Sequence, residues 1–396
     1  MFQIFPIDGG ICASNGFFSD GVSAGLKKDN APDVAFIYSD TLCNVSAIFT
    51  TNRFAAAPIA HYRQYQNGFQ TNFVIVNSKC ANAMTGIDGI KDIEVVCEKL
   101  KSKFPEIKNP IMSSTGVIGV RLPLEKIESS FDKFCLNNCN SFKASKAIMT
   151  TDSFNKEVAF KVVLEDGRSY SIGAIAKGAG MINPAMATML CFITTDALLS
   201  SDEINELLKD VNEVTFDAIS VDGDTSTNDT VLLLANGKSG VKDIVSFKEA
   251  LKLVMQQMAL DMVRDGEGAK KAVAFEISGA NSYNDAVKAA KALSNSLLVK
   301  TMLFGEDPNW GRVACIIGAS GALCDETKLQ ISFDDVLVYD RGSILMTKDV
   351  EEKAHRIMKK SEFRIKSELG MGSYSYTAFG CDLGYKYVEI NADYRT

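Results

Sequence analysis

Two hydrophobic periods alternate along the chain, and each switch between them marks an element. Short apolar or alternating runs rich in β-branched and aromatic residues read as strands at 34–39, 46–50, 72–76, 147–149, 158–164, 169–176 and 231–235. Glu165-Asp-Gly-Arg168 between two of these runs predicts a hairpin. Helical spacing covers 58–67, 87–104, 123–137, 213–219 and 247–263, and Ser200-Ser-Asp-Glu203 opens a further helix with a capping-type start. The pattern restarts near 272. It reads as strand 272–279, helix 281–294, strands 297–302, 313–317 and 329–338, helix 349–368, and strands 373–379 and 384–391. Strands and helices are interleaved throughout, so the class is α/β. At 396 residues the chain exceeds the size of one ordinary core. Two domains are expected, 1–274 and a smaller α/β unit over 275–396.

One stretch breaks the pattern. From Gly178 to Thr195 there is no charged side chain, in a chain that is 23% charged. Gly178 and Gly180 permit backbone conformations closed to other residues, and Pro184 ends any helix and pushes Asn183 toward extended geometry. Thr188-Met-Leu-Cys-Phe-Ile-Thr-Thr195 then reads as a buried strand. Thr188 therefore stands where a loop meets a rigid strand, after the small residue Ala187. A Thr hydroxyl is a weak nucleophile unless a base adjoins it, and the α-amine of an N-terminal Thr is one such base, with a pKa of about 7.7–8.0. An internal Thr gains that amine if its hydroxyl attacks the Ala187 carbonyl and water opens the ester. The competing reading of these residue types is an ordinary core loop and strand.

Composition narrows the classes. A net charge of −7 without a basic cluster disfavours nucleic acid. Ten cysteines contain no Cys-x-x-Cys pair, which fits a reduced cytoplasmic setting and disfavours zinc. The amino-terminal residues lack a basic and apolar leader pattern, and no continuous apolar span predicts a membrane helix. Only His61 and His355 occur, so a Ser-His-Asp triad is improbable. His61 reads as structural. Three Asp in Asp222–Asp229 lack the spacing and terminal Glu of a calcium loop. No metal and no organic cofactor is implied.

Other segments offer chemistry. Ser113-Ser-Thr-Gly116 is a turn able to aim several N–H groups at one spot, as an oxyanion hole requires, although such turns are commonly plain loops. Glu267 stands between two glycines and reads as a solvated surface carboxylate. Asp152, at a Thr-Thr-Asp corner, reads first as a capping or turn residue.

Lys177-Gly-Ala-Gly-Met-Ile-Asn-Pro-Ala-Met-Ala-Thr-Met-Leu190, Ser114-Thr-Gly-Val-Ile-Gly119, Asp222-Gly-Asp-Thr-Ser-Thr-Asn-Asp229 and Asn391-Ala-Asp-Tyr-Arg-Thr396 together resemble the ornithine acetyltransferase (glutamate N-acetyltransferase) family. The matching motifs run from about residue 6 to 396. The resemblance implies sandwiched β-sheets flanked by helices, of the N-terminal-nucleophile type. It implies self-cleavage between Ala187 and Thr188, chains 1–187 and 188–396, and an α2β2 assembly. It implies acetyl transfer from N2-acetyl-L-ornithine to L-glutamate, releasing L-ornithine and N-acetyl-L-glutamate, with Thr188 as nucleophile and Thr115 and Gly116 as oxyanion donors. Thr151, Lys177, Glu267, Asn391 and Thr396 would contact substrate, with Lys177 attracting its carboxylate and Glu267 its terminal ammonium. Acetyl-CoA as a second donor stays open. Lys79 stands where the family's Asn-Ser-Gly turn has Gly, which leaves that turn's geometry open. A self-processing amidase or aminopeptidase and a non-catalytic binding protein are the alternatives.

Overall fold

The structure, a computed structural model, describes residues 1–183 and 189–393. Among the described residues ten strands precede residue 240: β1 (Phe2–Pro6), β2 (Phe17–Val22), β3 (Val34–Phe49), β4 (Gln70–Asn77), β5 (Ile111–Ser114), β6 (Lys156–Leu164), β7 (Ser169–Lys177), β8 (Leu190–Thr195), β9 (Ile219–Ser220) and β10 (Thr230–Ala235). All but β9 form one sheet in the order β1-β6-β7-β8-β10-β3-β4-β5, with β2 also on β3. The helices of this part are α1 (Ala57–Tyr62), α2 (Gly86–Lys103), α3 (Leu124–Ser130), α4 (Ser141–Ile148), α5 (Ser201–Glu213) and α6 (Ile244–Arg264).

Strand β3 turns this sheet into two layers. Val34–Tyr38 pair with β2 and β4, Asn44–Phe49 pair with β10, and the register shifts between Tyr38 and Cys43. The sheet folds over itself there. Ile37, Val74, Phe192 and Leu232 meet in one core between the halves, with Ala144 and Ala147 of α4. The opposite faces are covered separately. Phe36, Phe73 and Ile75 pack on α2 and α3, whereas Ala174, Cys191, Ile193 and Leu233 pack on α5 and α6. Period-2 alternation sends neighbours to opposite cores, so β8 and β10 are buried along their whole length. The sequence reads them as apolar runs for that reason.

The second sheet adds β11 (Ala272–Ala280), β12 (Gln330–Phe333), β13 (Val336–Asp340), β14 (Ser343–Ile344), β15 (Glu362–Glu368) and β16 (Tyr374–Cys381), in the order β14-β13-β12-β15-β11-β16-β9. Helices α7 (Tyr283–Asn295), α8 (Leu297–Phe304), α9 (Trp310–Ala319) and α10 (Lys348–Met358) enclose its core around Phe275, Leu293, Met302 and Ile365. Ala272 and Phe379 lean the other way, onto the core of α6. Helix α11 (Tyr385–Asp393) closes the described chain.

Several sequence expectations change. Residues 147–149, 297–302, 313–317 and 384–391, expected as strands, lie in or at the end of helices α4, α8, α9 and α11. Three of these helices carry unread N-caps: Asn140 accepts from Lys143 N–H, Ser296 from Val299 N–H and Asn309 from Arg312 N–H. A short apolar run cannot be assigned by periodicity alone, and the cap decides it. The strands expected at 34–39 and 46–50 are one strand, β3. The helix expected over 349–368 stops at Met358, and Glu362–Glu368 forms β15. The helix expected over 213–219 is a 3-10 turn, Phe216–Ala218, running into β9. Beyond Ser130 the helix expected over 123–137 gives only a 3-10 turn, and α1 ends at Tyr62. The β6–β7 hairpin is as expected, Val163 opposite Ser169.

Phe192 is fully buried between the two half-sheets. Phe192→Ala is expected to lower stability by about 3–5 kcal/mol, read by urea denaturation of the full chain. A loss under about 1 kcal/mol would contradict this packing.

Candidate active site

Strand ends converge on one edge of the folded sheet. Lys177, the last residue of β7, pairs directly with Leu190, the first of β8, and Leu190 also pairs with Thr230, the first of β10. Met189 is held on both sides of its backbone. Its N–H donates to Asp229 Oδ1 at 3.0 Å, and its carbonyl accepts from Thr230 N–H at 3.0 Å. Ala187 and Thr188 lie outside the described residues, as does Thr396. The structure nonetheless places Lys177 opposite a residue two positions from Thr188, although eleven positions separate them in sequence.

From the other half-sheet come β4 and β5, parallel, with Asn77 opposite Ser114. Ser114 Oγ donates to Asn77 Oδ1 at 2.6 Å, and Thr115 N–H donates to the Asn77 carbonyl. Asn228 ties this turn to the start of β10, its Nδ2 donating to the carbonyls of Ala81 (2.7 Å) and Ser114 (2.9 Å). Gly116 has φ 132°, and a Cβ there would overlap the Lys79 carbonyl carbon. Only glycine fits that approach. Lys79 itself sits at φ 74°, so the turn holds the left-handed geometry suited to Gly with a side chain in place.

Thr115, Gly116, Thr151, Lys177, Glu267 and Asn391 line one cavity of about 200 Å³. Six of the sequence-predicted site residues, drawn from five separated segments, are thus brought together. Glu267 is not simply a solvated surface residue. Its Oε2 accepts from Asn391 Nδ2 at 2.6 Å, its N–H donates to the Ala179 carbonyl, and a Cβ on Gly180 would lie 2.6 Å from its carboxyl. Gly180 is what lets the carboxylate in. A larger cleft of about 740 Å³ lies between α6 and the second sheet. Its arginines are already paired, Arg264 with Glu362 and Arg364 with Glu276, and it holds none of these six residues.

Beneath the cavity lies a buried charge cluster that sequence reading missed. Asp152 Oδ1 accepts from Lys156 Nζ (2.9 Å) and Gly178 N–H (2.7 Å), and Oδ2 accepts from Thr150 N–H (3.0 Å). The turn role read for Asp152 is real but partial. Burial opposes its charge, yet Lys177, Lys156 and these N–H groups hold its carboxyl well below the ordinary range. Lys177 Nζ donates to Thr150 Oγ1 at 2.9 Å and stays 4.0 Å from Asp152. Burial pushes the Lys177 amine down, and Lys156 adds to this, whereas Asp152 pulls it back up. Lys156 and Asp152 stand four apart, a spacing visible in sequence. Asp265, the second partner of Lys156, is not.

The bonding of three residues already weighed in the sequence is now visible. Asp222 accepts from Met181 N–H (2.6 Å) and Ile182 N–H (2.9 Å), fixing the central loop, and Tyr387 O–H donates to it at 3.2 Å. Asp229 is fully buried, its Oδ2 has no partner among the described residues, and burial pushes its carboxyl up to about 8. His61 is buried at the edge of the Tyr65 ring and lies away from the cavity. Among the described residues no group of three His, Cys, Asp or Glu could hold a metal, and no helix is long and apolar enough to cross a membrane.

Residues 19–396 match the ArgJ family model. The chain belongs to the ArgJ family. ArgJ proteins similar to it include the arginine biosynthesis bifunctional protein of Wolinella succinogenes, 61% identical over the whole of both chains. The glutamate N-acetyltransferase of Methanococcus maripaludis is 41% identical, over 98% of each chain. Among solved structures, ArgJ of Bacillus halodurans is 36% identical over 51% of this chain and 98% of its own, with a TM-score of 0.49. As an ArgJ protein the chain is an acyltransferase of arginine biosynthesis.

Two tests follow from this geometry. An unfolded Asp titrates near about 3.9, and Asp229 near about 8, so its contribution is whole below the first value and is lost as pH rises to the second. Asp229→Asn should therefore lose less stability than the native chain between about pH 4 and about pH 8, measured by urea denaturation. Equal losses would contradict a neutral carboxyl. Lys79→Gly removes a strained side chain and should stabilise by about 1 kcal/mol, read from the same denaturation midpoints. Destabilisation would contradict the left-handed turn.

Proposed function

We propose that this ArgJ protein moves the acetyl group of N2-acetyl-L-ornithine to L-glutamate through an acetyl-Thr188 intermediate. The chain first severs its own Ala187–Thr188 bond. The observation that carries this reading is the cavity that gathers Thr115, Gly116, Thr151, Lys177, Glu267 and Asn391 beside the start of β8. It offers a basic group and an acidic one to a ligand that carries a carboxylate and a terminal ammonium.

In this reading, the Thr188 hydroxyl attacks the acetyl carbonyl, assisted by its freed amine. Thr115 and Gly116 donate hydrogen bonds to the anion that forms there, and one such donor is worth about 3–4 kcal/mol. Lys177 receives the substrate carboxylate. Burial pushes its amine down, and an anion beside it favours the charged form. Glu267, oriented by Asn391, takes the ornithine ammonium, and Thr151 and Thr396 complete the contacts. Ornithine leaves, glutamate enters and accepts the acetyl group. No metal or cofactor is called on.

We further assign the cut chains 1–187 and 188–396 to an α2β2 tetramer working in the cytoplasm, with acetyl-CoA as a second acetyl donor. A domain boundary near residue 274 places the predicted site in the first part, with the chain end returning to it. The rival reading, a self-processing amidase or aminopeptidase, would pass the acyl group to water instead.

Intact mass and acetyl-transfer assays of the native chain and Thr188→Ala test the reading together. The native chain should give two fragments, and ornithine release should depend on glutamate. The variant should remain one species with turnover lowered at least about 10³-fold. An uncut active chain, or acetate release indifferent to glutamate, would overturn the proposal. Acetyl-CoA in place of acetylornithine, and native mass, test the second donor and the tetramer.

A further inference from the structure

The side chain of Lys156 has no exposure to solvent and does not line the cavity that holds Lys177 and Glu267. Its Nζ spans two carboxylates, 2.9 Å from Asp152 Oδ1 and 2.5 Å from Asp265 Oδ2. It also lies 4.7 Å from the centre of the Phe154 ring. Asp265 caps the C-terminus of α6 and accepts from Ser153 N–H at 3.0 and 3.1 Å. Two residues on stands Glu267, on one wall of the cavity. Asp152 accepts from Thr150 N–H, beside the cavity, and from Gly178 N–H, next to Lys177.

The partners of Asp152 are therefore taken. Lys177 is left with the neutral Thr150 hydroxyl at 2.9 Å, and its nearest carboxylate oxygen, at 4.0 Å, already serves Thr150 N–H. A buried ammonium whose counter-ion stands as far off as 4.0 Å is costly, and an arriving carboxylate relieves that cost.

We propose that Lys156 is a positioning residue of this site: by occupying Asp152 and Asp265 it joins the loop carrying Lys177 to the loop carrying Glu267, and it keeps Asp152 from closing beyond 4.0 Å on Lys177, which stays open to the carboxylate of an amino-acid ligand. The proposal rests on the cavity being the amino-acid site. Removing Lys156 frees Asp152 to close on Lys177, which then holds its own proton to higher pH. The titratable groups acting on Lys177 are Asp152 before β6, Lys156 on β6, Glu267 after α6, Asp229 before β10 and Lys27. Only Lys156 and Asp265 change in the test below.

The probe is L-ornithine, its binding followed by calorimetry across pH in a Thr188→Ala background. Lys156→Met leaves Asp265 unpaired and should lower the melting temperature. Lys156→Met/Asp265→Asn removes one charge of each sign and should recover it. In that double variant the alkaline loss of ornithine affinity should start about one pH unit higher than in the parent. A recovered melting temperature with an unmoved pH profile would overturn the proposal. Should the double variant not fold, Lys156→Arg keeps the charge. An unmoved profile there supports the proposal, and a displaced one overturns it. Acetyl transfer by the native chain, assayed alongside, reports separately on the proposed function.

Discussion

A carboxylate sealed from water constrains the rest of this molecule. Asp152 has no exposed side-chain surface, and a lone buried charge would cost several kcal/mol. The fold answers with two ammonium groups and two backbone N–H groups, from Lys156, Lys177, Thr150 and Gly178. Every one of these belongs to β6, to the end of β7, or to the loops beside them. The cluster therefore fixes where β7 ends and where the Gly-rich loop begins. It also fixes α6, because Lys156 shares its proton donors with Asp265.

The sandwich explains why the remaining groups arrive at the same place. One long strand, β3, serves both layers, and the strands on either side of it end at a common edge. Parallel β4 and β5 bring the Thr115–Gly116 turn there, and the β7–β8 register brings Lys177 opposite Leu190. Asn228 stitches the two layers together across that edge. Catalytic geometry of the kind proposed needs donors and charges fixed within fractions of an ångström. Hydrogen-bonded strand ends provide that rigidity better than free loops.

Much of this was legible in sequence, for identifiable reasons. Buried strands such as β8 announce themselves as uncharged apolar runs, and the β6–β7 hairpin by its Asp-Gly turn. The site residues were legible through motif resemblance, since Glu267 by its own chemistry read as solvent-facing. The carboxy-terminal third was misread where helices are short. Leu297–Phe304 and Trp310–Ala319 have strand-like composition, and only the caps Ser296 and Asn309 mark them as helical. The Asp152–Lys156–Asp265 bridge was invisible because its partners lie 109 positions apart in the chain. Periodicity carries no information about such a meeting.

The central claim is that the cavity holds an amino-acid ligand end to end. A crystal structure of the Thr188→Ala chain grown with N2-acetyl-L-ornithine tests it most directly. The account predicts the ligand carboxylate at Lys177, the terminal ammonium at Glu267, and the acetyl oxygen facing Thr115 and Gly116. Ligand bound elsewhere, or bound here with its two ends exchanged, would contradict it.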